Sequence, residues 1–214
     1  MFFEKTEHPL LTIKQLACER EDRYLFTQFD WQACAGELWQ LSGPNGAGKT
    51  SLLKILSGLM WYPEGTLTWH LQNKDGLHWR DKLGVIGHQT GLRDELTANE
   101  NLQWLAALHG EIWQNASQVF YALGLKGYTD VPLSHLSAGQ KRRVALARLW
   151  LSDKQVWLLD EPFTAIDSQG VALLEQQLEQ LAQQGKLIIY TSHHRVNPRA
   201  RQVRLGGGKA EVVA

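Results

Sequence analysis

Residues 37–53 read ELWQLSGPNGAGKTSLL, and the order of chemistries in that stretch decides how the chain folds. A short apolar run predicts a strand, three glycines break it, and Lys-Thr-Ser with an apolar pair opens a helix. Gly43, Pro44, Asn45, Gly46, Ala47, Gly48, Lys49 and Thr50 fit G-x-x-x-x-G-K-[ST] at every fixed position. Glycines let backbone N–H groups approach a phosphate without Cβ obstruction, and a helix N-terminus supplies further donors. Lys49 then reads as the point charge for β and γ phosphates, and Thr50 as a hydroxyl ligand for a bridging magnesium ion, with Ser51 in the same turn. The bland alternative is a glycine turn before a helix, against which the flanking strand and amphipathic helix both argue. The motif by itself leaves kinases, GTPases and motor ATPases open.

Working outward, LLTIKQLA (10–17) and the mixed segment 24–35 predict early strands, and 65–71 and 83–88 predict two more. At Thr97 the period changes. TANENLQWLAALHG has a threonine cap, a glutamate three residues on and apolar residues at helical spacing, so 92–150 reads as mainly helical. VWLLD (156–160) fits a strand buried on both faces, SQGVALLEQQLEQLA (168–182) puts Val171, Leu174, Leu178 and Leu181 on one helix face, and KLIIYTS (186–192) supplies another strand. Strands alternating with helices predict an α/β fold: a mostly parallel sheet of P-loop NTPase type, with an N-terminal antiparallel β portion and a helical insertion at 92–150. The whole of 1–214 reads as one domain. The segment RVNPRARQVRLGGGK (195–209) reads as a turn followed by a frayed, solvated end.

Composition bounds the partners. Acidic and basic side chains number 22 each among 214 residues, so no global field draws the chain to nucleic acid or an anionic membrane. Cys18 and Cys34 have neither the number nor the spacing of a disulfide framework or zinc site, which points to a reducing compartment. No targeting segment is evident in MFFEKTEHPL, and charges interrupt every candidate membrane span. The nine tryptophans are scattered and read as packing.

A second constellation narrows the chemistry. VWLLDE ends a strand on Asp160 and Glu161; in P-loop enzymes the strand-end aspartate holds magnesium and the next acid can polarise the attacking water. LSAGQ (136–140) runs into KRRVALARLWL, where three cations in a first turn oppose the helix dipole and are explained by an anion close by, or simply tolerated on a capped surface helix. Ser137 and Gln140 have capping-box spacing.

With these motifs the chain resembles the ATP-binding-cassette (ABC) ATPases: GPNGAGKT, LSAGQ, LLDEP and TSHH occur in that family's order and at its intervals, over nearly the whole chain. The resemblance implies that Gly43 to Thr50 and Ser51 bind ATP and Mg2+ together with Asp160, and that Gln89 senses the magnesium ion and transmits to a partner. It also implies that Glu161 activates water, that His193 contacts the γ-phosphate, and that Ser137, Gly139 and Gln140 touch ATP held by the opposite subunit of a homodimer, with Asp167 in the dimer-facing loop. Ala138 stands where the family commonly has glycine, which costs about 1 kcal/mol if that position needs positive φ and little if it is helical. The position that usually stacks an aromatic ring on adenine falls on Arg20; either its guanidinium plane or Tyr24 is then the stacking group.

Within the family, CEREDRYLF, AGELWQLSGPNGAGKTSLL, LSAGQKRRVALARLWL and LLDEPFTAID are most similar to ATP-binding subunits of bacterial cytochrome c maturation systems. That similarity implies a peripheral subunit on the cytoplasmic face of the inner membrane, joined to integral membrane subunits of a haem-handling complex, hydrolysing ATP to release a haem-loaded chaperone, with no nucleic acid partner. The competing expectations are an ATPase subunit for another small molecule and a soluble ABC ATPase acting on nucleic acid or the ribosome.

Overall fold

The computed structural model describes residues 9–71, 79–113, 116–192 and 197–213. Its centre is a six-stranded sheet built around the strand that precedes the glycine loop. The strands in chain order are β1 (Leu11–Arg20), β2 (Arg23–Ala33), β3 (Leu38–Ser42), β4 (Thr66–Trp69), β5 (Leu83–Ile86), β6 (Val156–Leu159), β7 (Leu187–Thr191), β8 (Arg201–Gly206) and β9 (Lys209–Val213). The large sheet has the order β5-β6-β7-β3-β8-β9, parallel throughout except for the antiparallel β8–β9 pair.

Helices cover both faces. They are α1 (Lys49–Leu56), α2 (Ala98–Leu108), α3 (Ala116–Ala122), α4 (Ala138–Leu146), α5 (Arg148–Leu151) and α6 (Ser168–Gln183). The two-residue alternation of a strand sorts the apolar residues of the central strands to opposite sides. Trp39, Leu41, Val156, Leu158, Leu187 and Ile189 pack with Leu52 and Leu56 of α1, whereas Leu38, Trp157, Leu159, Ile188 and Tyr190 pack with Leu174, Leu178 and Leu181 of α6. Burial on both faces is why these strands read as continuous apolar runs. A third core, including Leu102, Phe120, Leu133 and Val144, joins α2, α3 and α4.

The expected N-terminal antiparallel β portion is present, and one expectation, that of the final segment, needs revision. The N-terminal strands form a separate three-stranded antiparallel sheet, β2-β1-β4, completed by β4 from beyond α1. The final segment is not a frayed end: Val203 and Leu205 of β8 are fully buried, and β8 lies parallel to β3 with Trp39 opposite Arg201. The alternation V-x-L with a glycine turn and AEVV was the hairpin signal that its many cations obscured. Gly207 and Gly208, at φ 59° and 78°, make the turn between β8 and β9.

Candidate nucleotide-binding site

The glycine loop leaves the C-terminal end of β3 and turns into α1. Gly43, Gly46 and Gly48 have φ of 140°, 77° and 101°, values that side-chain-bearing residues rarely adopt. Gly43 also has no room for a Cβ, which would lie 2.1 Å from the Leu205 carbonyl oxygen of β8. The late strand that the sequence left as a tail is therefore the floor against which the loop is pressed.

Lys49 is buried, and its Nζ donates to the Gly43 and Pro44 carbonyls at 2.8 and 3.0 Å, curling the ammonium over the loop. Burial lowers its pKa, and Glu161 and Asp160 push it back up. Thr50 Oγ1 donates to the Asp160 carboxylate, 3.1 Å from each oxygen. Thr191, at the end of β7, ties the two acids together. Its hydroxyl donates to Asp160 Oδ1 at 2.8 Å and accepts from the Glu161 amide at 2.7 Å.

Lys49, Thr50, Asp160 and Glu161 border a cavity of about 360 Å³ whose lining also includes Arg20, Leu25, Asn45, Gly46, Gly48, Ser51 and His88. Arg20 faces this space while holding Glu21 at 3.3 Å, whereas Tyr24, 45% exposed, does not line it. Pro44 and Ala47 belong to the loop itself. Gln89 lies in a neighbouring cavity of about 470 Å³, which shares Thr50, His88 and Asp160 with the first.

The donor set suits a small hard cation. A threonine hydroxyl and a carboxylate, both oxygen ligands, converge beside a glycine loop of phosphate-binding pattern, and magnesium typically takes one or two protein oxygens with the rest from phosphate and water. No cluster of three or more His, Cys, Asp or Glu side chains that could cage a metal occurs among the described residues.

Ser137, Gly139 and Gln140 do not line the cavity at the glycine loop. They form the first turn of α4 and its cap: Gln140 N donates to Ser137 Oγ at 3.3 Å, and Ser137 N donates to Gln140 Oε1 at 2.8 Å. Ala138 is helical, so its replacement of glycine carries little backbone cost. Gly139 cannot carry a Cβ without meeting the Ala165 carbonyl at 2.4 Å. Asp167 caps α6 by accepting from Gly170 N at 2.8 Å and pairs with Arg143; these donors hold its carboxyl below the usual range. His193 lies outside the described residues.

Two of the cations that open α4 meet carboxylates close by, as the anion reading expects, and the third meets main-chain carbonyls. Lys141 binds Asp94 at 2.7 Å, Arg143 binds Asp167, and Arg142, only 7% exposed, donates to backbone carbonyls. Thr191, Arg142 and His88 are the site neighbours that motif reading passed over. Thr191 was within reach as the residue two before His193, but a threonine ending an apolar strand carries no signal by itself.

Among the described residues, no helix is long and apolar enough to cross a membrane. The family model for the ABC transporter matches residues 26–164. The chain is 50% identical over 202 residues to the cytochrome c biogenesis ATP-binding export protein CcmA of Alcanivorax borkumensis, covering 94% of this chain and 90% of that protein. It is 46% identical to the protein of the same name from Vibrio cholerae, covering 94% of this chain and all of that one. A solved ATP-binding subunit of an ABC transporter superposes with a TM-score of 0.82 at 22% identity, covering 95% of this chain and 90% of the other, a likeness of fold.

Proposed function

The chain belongs to the ABC transporter ATP-binding family, and we propose that it is the ATP-hydrolysing subunit of a haem-handling complex for c-type cytochrome biogenesis. The single observation that carries the hydrolytic reading is the convergence of Thr50 and Asp160, 3.1 Å apart, beneath the glycine loop and beside Glu161. The biogenesis role rests on the identity to relatives that bear that name.

In this reading the amides of residues 43–50 hold the phosphates, and Lys49 exchanges its two carbonyl partners for phosphate oxygens. Thr50, Asp160 and Gln89 would hold Mg2+, which would neutralise charge developing on the phosphates. Glu161 accepts the proton of the attacking water, with its amide anchored by Thr191. Arg20 covers the adenine face of the cavity. His193 contacts the γ-phosphate.

Ser137, Gly139 and Gln140 serve the second copy in a homodimer, a reading supported by their not lining the cavity at their own chain's glycine loop. The Ser137 hydroxyl accepts from Gln140 N and keeps its proton for a phosphate oxygen of the partner's nucleotide. Residues 92–150 act as the insertion that carries this corner within a single ABC ATPase unit. Membrane subunits of the complex, met at the cytoplasmic face of the inner membrane, dock on the Gln89 side and receive the closing motion.

The test is Glu161→Gln in the full chain, expressed with its neighbouring membrane subunits. ATP turnover falls by about 10²–10³-fold while ATP binding persists and a nucleotide-bridged dimer accumulates. Haem-loaded chaperone then stays on the membrane subunits. Undiminished turnover refutes the role of Glu161; normal haem release from a hydrolysis-dead complex refutes the biogenesis assignment.

A further inference from the structure

A buried arginine opens α4, where a cation opposes the helix dipole. Among the described residues, the Arg142 guanidinium makes three hydrogen bonds, all to main-chain carbonyls. Nη1 donates to Gly87 O at 2.8 Å, and Nη2 donates to Asp160 O at 2.6 Å and Glu161 O at 3.0 Å. These carbonyls lie just beyond the C-terminal ends of β5 and β6, so one planar fork clamps two adjacent strand ends to a helix.

What the fork grips is informative. Glu161 has φ 50°, a left-handed conformation that a residue with a side chain holds only when its surroundings impose it. The amide of Glu161 is fixed by Thr191 at 2.7 Å and its carbonyl by Arg142 at 3.0 Å, so both ends of the residue are pinned and the direction of its Cβ is set. Gly87 stands two residues before Gln89. Gly139, one turn from Arg142, packs against the Ala165 carbonyl, and Ala165 is again left-handed at φ 63°. The start of α4 therefore rests on the backbone between Asp160 and Ala165 at two separate points. Burial weakens the charge on Arg142, and the neighbouring Asp160 and Glu161 carboxylates support it.

We propose that Arg142 is a positioning residue: it aims the Glu161 carboxylate and ties it, with the Gln89 loop, to the α4 corner of the same chain. The inference rests on the ATPase reading above and extends it. If the α4 corner meets the nucleotide of the partner copy, then closing one composite site shifts α4, and Arg142 carries that shift to the acid serving the other site. Two equivalent sites become coupled through main-chain carbonyls rather than through nucleotide contacts. A lysine retains the charge but offers a point donor, which cannot hold both strand ends in one plane.

The test uses the full chain with R142Q and R142K, reading steady-state ATP turnover, equilibrium binding of a fluorescent ATP analogue with Mg2+, and the thermal transition. The expected result for R142Q is a fall in kcat of about tenfold or more, a Hill coefficient dropping to about 1, and analogue affinity within about twofold of the parent. R142K lies between, with kcat falling by about three- to tenfold and affinity unchanged. Should R142Q not fold, R142K carries the test by the same criterion.

Turnover within about twofold of the parent overturns the proposal, as does a parallel loss of kcat and affinity in a variant that keeps its cooperative thermal transition, which marks Arg142 as packing alone. Glu161→Gln separates this from the underlying reading. If that variant is inactive while R142Q is normal, only the coupling falls; if Glu161→Gln still turns over, the hydrolytic assignment falls with it.

Discussion

Two helix N-termini in this molecule look alike in outline and differ in how their exposed amides are used. α1 begins at Gly48, which has no side chain to cap it, carries no acid in its first turn, and places the cation Lys49 at its first position. For an isolated helix each of these choices is unfavourable. Together they make an end suited to an anion, with the Lys49 ammonium held by the Gly43 and Pro44 carbonyls. α4 begins with a complete capping box from Ser137 and Gln140, and its cations are engaged by Asp94, Asp167 and strand-end carbonyls. α2 is capped in the same reciprocal way by Thr97 and Glu100. The difference teaches that α1 leaves its end open, whereas the α4 cap engages the Ser137 and Gln140 amides, so the α4 corner can meet a phosphate with the Ser137 hydroxyl proton and the first-turn amides that the cap does not use.

The sharpest way to break that contrast is Lys49→Ala, which should lower ATP affinity by about 10–100-fold, because it removes a buried charge-assisted donor from the open end. Equilibrium binding to the single chain measures it, and unchanged affinity would mean α1 is not the anion site. Next comes Gly139→Ala. Its Cβ meets the Ala165 carbonyl at 2.4 Å, so stability falls by about 1–3 kcal/mol and ATP-dependent dimerisation weakens, while nucleotide affinity of the single chain holds. Denaturant unfolding and light scattering read the two effects.

A matched pair sharpens the comparison further. Ser137→Ala and Thr97→Ala each remove a helix cap and cost about 1 kcal/mol, yet only the first should impair the nucleotide-bridged dimer. Equal dimerisation in both would remove Ser137 from the composite site.

The smallest effect is in acid. The Gly170 amide and then Arg143 depress the Asp167 pKa in the folded chain, so its contribution is complete above the ordinary carboxylate value near about 4 and is lost as pH falls through the depressed folded value. Asp167→Asn removes that part of the acid slope of the melting temperature. An unchanged slope would show that the α6 cap carries no linkage.

Legibility followed the range of the interactions. The glycine loop, its helix and both capping boxes depend on neighbours within a few residues, and each could be read from GPNGAGKT, TANE and SAGQ. The buried strands β6 and β7 were legible because double-faced burial leaves an unbroken apolar run. Arg142 was misread, since the dipole argument saw only its own helix and not the carbonyls of Gly87, Asp160 and Glu161. Arg20 and Tyr24 could not be ranked until the β1–β2 hairpin turned one toward the cavity.

By itself, then, the sequence determined the chemistry: a phosphate loop, a pair of acids after a buried strand, and a capped corner at the family's spacing. Only the tertiary structure decided that β8 forms the floor of the loop, that Thr191 and Arg142 pin the backbone of Glu161, and that Ser137, Gly139 and Gln140 do not line their own chain's glycine-loop cavity. The physical reason is that local motifs are satisfied by adjacent peptide groups, whereas these arrangements pair groups from distant strands and helices, which only the packed core brings together.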